Sequence, residues 1–79
     1  MKIRLKNIQD GTPVSIYPED KLYEEFILHE HVENSLLKVP LMCPVDVDTL
    51  VFIVIGNKKP VKTQIKNFIN VLGDNGLLL

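Results

Sequence analysis

The sequence predicts an α+β domain in which a mixed sheet of four to five strands packs on one main helix. Three observations lead there. Two alternating stretches, "MKIRLKNI" and "PVSIYP", flank the turn pair Asp10-Gly11. A longer stretch, "PEDKLYEEFILHEHVENSLL", has a helical spacing of apolar residues. A run of six apolar residues, "LVFIVI", is rich in β-branched side chains.

The first stretch sets Met1, Ile3 and Leu5 against Lys2, Arg4 and Lys6, a period of two that suits a half-buried strand. Asp10-Gly11 then signals a hairpin, because glycine accepts positive φ freely. In the second stretch Val14 and Ile16 share a face. Pro13 has no N–H to donate, which predicts an edge strand.

In the third stretch Asp20 is placed to cap a helix, and the acids near its start favour the dipole. Leu22, Tyr23, Phe26 and Ile27 fall on one side, Leu28 and Val32 on roughly the opposite side. The regular helix therefore ends near His29 to Val32, or its far end meets a second apolar surface. Leu5, Ile16, Leu22 and Phe26 are the expected core.

Pro40 and Pro44 make "KVPLMCPVDVD" an extended connection rather than a helix. "LVFIVI" follows as a strand covered on both faces. "NKKP" is a turn. "VKTQIKNFINVL" is ambiguous: Val61, Ile65 and Phe68 fit a helical turn, but the stretch is short. "GDNG" and a final strand, "LLL", close the chain.

Seventy-nine residues make one domain, 1–79. About 60% of the unfolded surface is buried at this size, which leaves no room for a deep enclosed active site. The composition, 46% apolar and 24% charged, is that of a folded globular chain. A net charge of −1 provides no field to draw in nucleic acid or an anionic membrane. The single cysteine, Cys43, forms no internal disulfide and suits a reducing, cytoplasmic setting. No signal peptide is visible, and the longest apolar run is far below the roughly 20 residues of a membrane helix.

The chemistry-bearing residues are few. His29, Glu30, His31 and Glu33 cluster in "HEHVE". On a helix His29 and Glu33 share a face while His31 turns away, and the metalloprotease pattern needs histidines four apart. No metal site is expected. Cys43 lies between Met42 and Pro44 in an apolar stretch that offers no base to activate it. "GNKKP" lacks the second glycine and the hydroxyl of a phosphate loop. Its Lys58 and Lys59 join Lys62 and Lys66 in a modest basic stripe. Glu19, Asp20, Glu24, Glu25, Glu30 and Glu33 form an acidic one. No cofactor and no enzymatic activity are expected.

"LVFIVI" is the most informative stretch. In one small sheet packed on one helix, alternation forces either Val51, Ile53 and Ile55 or Leu50, Phe52 and Val54 outward. Cover comes either from the connection Lys38 to Val47 or from a partner.

Element order and several segments together resemble the ubiquitin-like β-grasp family. "MKIRLKN" is similar to its first strand, "IYPEDKL" to the lead into its helix, and "LVFIVIGNKKPV" to the strand and glycine turn after its proline-bearing loop. "IKNFINVLGDNGLLL" is similar to its closing pattern. The resemblance implies that the last strand lies in the middle of the sheet beside the first, with Leu77 and Leu79 inward and Leu78 outward. It implies a non-enzymatic module that binds a protein through the sheet face. Ile53 would be at the centre, Ile55 and Leu78 beside it, and Lys58 and Lys59 on the rim; Phe52 would then face the core. Conjugating members and sulfur carriers end in glycine. This chain stops at Leu79, which argues against both roles and fits the N-terminal part of a longer protein. An alternative is a small self-assembling or secretion-associated ubiquitin-like protein of bacterial type, a homodimer being compatible with it.

Overall fold

The computed structural model describes residues 2–39, 46–72 and 76–78, with side chains for all of these except 69 and 76–78. Strands dominate: β1 (Lys2–Leu5), β2 (Pro13–Pro18), β3 (Leu28–His31), β4 (Leu36–Lys38), β5 (Leu50–Ile55), β6 (Val61–Gln64) and β7 (Gly76–Leu78). Helix is limited, among the described residues, to one 3₁₀ turn at Ile65–Asn67 that runs into α1 (Phe68–Leu72). The strands form two antiparallel sheets, ordered β4-β1-β7 and β3-β2-β5-β6. The expected β-grasp, one mixed sheet on one main helix, is therefore not the fold.

The decisive difference lies in the stretch expected to be helical. Only one turn forms there, closed by Glu25 N–H to Lys21 C=O at 3.2 Å. It stops because Tyr23 adopts φ +62°, a left-handed conformation that no α-helix continues through. The chain then extends. Ile27 N–H donates to Ile16 C=O at 2.7 Å, and β3 pairs along β2 in the register Ser15↔His29. Good helix formers lose here to long-range pairing, because helix propensity is worth only tenths of a kcal/mol per residue. A strand reading also resolves the opposed apolar sets: Leu28 and Val32 lie four apart, on one face of an extended chain, and both are buried.

A two-residue turn, Asn34-Ser35, follows. Both residues have positive φ, 52° and 63°, as a type I′ hairpin requires. Glu33 and Leu36 exchange both backbone hydrogen bonds across it, at 2.9 and 2.8 Å. Asp10 supports the turn from outside: its two carboxylate oxygens accept the N–H groups of Asn34 and Ser35, each at 3.0 Å. The turn takes the chain from the second sheet, at β3, to the first, at β4. Asp10-Gly11 does turn, with Gly11 at φ +89°, but it joins strands of different sheets and is not a hairpin.

The two sheets meet over one core. Ile3, Leu5 and Leu37 come from the first sheet, and Val14, Ile16, Leu28, Val51 and Ile53 from the second. Val32, Phe68 and Leu72 join them. Ile16 and Ile53 stand opposite each other in the register. Thus Leu5 and Ile16 are core residues as expected. Leu22 is half-buried, and Phe26 is exposed.

Two strand placements also differ. β2 is paired on both sides, so Pro13 is not on an edge strand. Proline is tolerated because it opens the strand, the other place a sheet accepts it. Its carbonyl still receives the Gly56 N–H at 2.8 Å. β7 lies beside β1, but at the end of the three-stranded sheet rather than in its middle. Cys43 and Leu79 lie outside the described residues, and the inward setting expected for the Leu77 side chain falls on an undescribed one.

Candidate functional site

Each strand of the second sheet has an outer face. On β2, Val14 and Ile16 point to the core, so Ser15 and Tyr17 point outward. On β5, Val51 and Ile53 point inward, so Leu50, Phe52 and Val54 point outward. The registers Ser15↔Val54, Tyr17↔Phe52 and Phe52↔Lys62 bring these outer residues side by side.

Yet the outer face of β2 is not wet. Tyr17 is only 7% exposed and Ser15 only 5%. Residues 19–27 fold back over them. Tyr23 meets Tyr17 edge-on with ring centres 5.5 Å apart, and Phe26 meets it at 5.2 Å. Phe26 in turn lies 4.5 Å from the ring of His29, and His29 lies 5.1 Å from that of His31. Five rings, Tyr23, Tyr17, Phe26, His29 and His31, thus run in sequence across the sheet. Aromatic pairs at these separations contribute about 0.5–1.5 kcal/mol each beyond simple burial.

The covering rings remain open to solvent themselves: Tyr23 is 63% exposed and Phe26 54%. Leu50 is exposed at one end of the same face, and Phe52 is half-buried. At the margin Lys62 Nζ meets Glu19 Oε1 at 2.9 Å, tying β6 to the covering segment. Both partners are half-exposed, so the pair contributes little to stability. Beneath the rings Ser15 Oγ lies 2.7 Å from His29 Nδ1.

The positions expected from sequence do not form this face. Ile53 is 1% exposed, in the core. The sheet faces of β5 are therefore reversed from the expectation: Phe52 is on the outer side and Ile53 on the inner. The cause is the pairing of β5 with β2, which sets Ile53 opposite the inward Ile16 and Phe52 opposite the outward Tyr17. Ile55 is half-buried and, with Ile53, Lys58 and Lys59, lines a small cavity of about 90 Å³. Lys58 and Lys59 are exposed in the turn after β5. In the backbone register Leu78 stands opposite Ile3. Sequence reasoning passed over Tyr17, Tyr23, Phe26 and Phe52 as site residues, because a helix would have put Tyr23 and Phe26 inside. The signal available was the density of rings between Tyr17 and His31.

No protein-family model, no curated protein and no solved structure matches the chain. Among the described residues no helix is long and apolar enough to cross a membrane. The resemblance to ubiquitin-like proteins thus has neither a match nor the fold behind it.

Proposed function

We propose that this protein is a non-enzymatic interaction module that binds a protein partner through the aromatic face formed by Tyr23, Phe26, Phe52 and Leu50. Tyr23 carries the argument. It holds φ +62°, which costs a bulky residue about 1–2 kcal/mol. That cost leaves the ring mostly in solvent. A strained, exposed aromatic is the kind of feature a binding surface retains and stability alone does not.

The chemistry favours protein over nucleic acid. Glu24 and Glu25 are exposed on the segment that carries the covering rings, and their charge opposes phosphate. A partner with an apolar centre and a basic rim complements this face. The Ser15–His29 pair has the types of a nucleophile and its base, but the hydroxyl is buried under the rings and out of a substrate's reach. The lone cysteine agrees with a cytoplasmic setting.

The test is a capture experiment with two variants. Tyr23→Gly removes the ring and suits the backbone, and Phe26→Ser removes the neighbouring ring. Proteins retained by the wild type and lost by both folded variants support the reading. Unchanged capture by both, or capture lost only on Lys58→Glu, contradicts it.

A further inference from the structure

We propose that His29 and His31 form a surface site for a borderline divalent transition metal of tetrahedral preference, zinc(II). The inference does not depend on the aromatic face having a partner. It rests on β3 being a strand. Two apart on a helix, the histidines would diverge; two apart on a strand, they share a face. The register sets them beside Pro13 and Ser15 on the outer side, and both are exposed.

Their spacing fits one ion. With metal–nitrogen bonds of about 2.0–2.1 Å and tetrahedral angles, two bound imidazoles have ring centres about 5.2 Å apart. The centres of His29 and His31 are 5.1 Å apart, with the rings at 84°.

The surroundings orient one ligand in advance. Ser15 Oγ occupies His29 Nδ1 at 2.7 Å, leaving Nε2 for the ion. A buried partner on the other ring nitrogen is the usual support of a histidine ligand. Phe26 lies 30° from the plane of the His29 ring and restricts its rotation. No third histidine, cysteine or carboxylate joins the pair among the described residues, so water fills the other positions. Two nitrogen ligands select nickel, copper or zinc over magnesium or calcium, which prefer oxygen.

The experiment uses the full chain with Cys43→Ser, so that the thiol does not compete for metal. Zinc chloride is titrated while the histidine ring protons are followed by NMR and the heat by calorimetry. One ion per chain, with both rings' signals shifted together, is expected. His31→Gln and His29→Gln should each weaken binding tenfold or more while leaving the amide spectrum folded. A shift of one ring alone, no binding, equal binding by His31→Gln, or competition by equimolar magnesium would each overturn the site.

Discussion

Asp10 holds the N–H of Ser35 at 3.0 Å from across the fold, between residues that belong to different loops. Its second oxygen takes the N–H of Asn34. The contact joins the loop after β1 to the turn between β3 and β4. Asp10→Ala should cost about 1–2 kcal/mol, in the range of other side-chain caps on backbone N–H groups. A urea denaturation curve measures the loss. Faster amide exchange at Ser35 than at Leu37 would place it at the turn.

Tyr23→Gly should keep the fold and raise stability by up to about 1 kcal/mol, the left-handed strain outweighing the lost ring contact. Tyr23→Val should lower it, since a β-branched residue suffers most at positive φ. The order Gly above Tyr above Val in thermal midpoint is the expected result. The reverse order would mean that the ring's contact with Tyr17 dominates.

Ile53→Lys should unfold the protein, because it places a charge in a site 1% exposed. Phe52→Lys, on the outer face, should leave it folded with a loss near 1–2 kcal/mol. Circular dichroism of the two variants decides between inner and outer assignments for β5.

Phe26→Ala should cost about 1 kcal/mol, well short of the 3–5 kcal/mol expected of a core phenylalanine. Its ring is 54% exposed and, among the described residues, stacks on the rings of Tyr17 and His29. A shift in the urea midpoint as large as that of Ile53→Ala would refute this placement.

Strand-forming segments were legible where alternation and turn chemistry agreed. "KIRL", "PVSIYP" and "LVFIVI" all form strands, and Gly11 does take a turn conformation. The region 19–38 was not legible. Its glutamates, lysines and leucines favour helix locally, and what overrides them is pairing with β1 and β2, distant in sequence. Once that region became strand, the facing of Ile53 and the sharing of a face by His29 and His31 changed with it. The Asn34-Ser35 turn was the missed clue: neither residue is glycine, so the signal for positive φ was weak.

The pairing of β1 sets an order of events during synthesis. Ile3 stands between Leu37 and Leu78. A nascent chain can offer β1 its first neighbour once Leu36–Lys38 have left the ribosome, but its second only after residues 76–78 emerge. Until then one side of β1 presents unpaired N–H and C=O groups to whatever is nearby, a template for joining another nascent chain. Lys2 and Arg4, exposed on that strand, are the charges that discourage such joining on crowded polysomes.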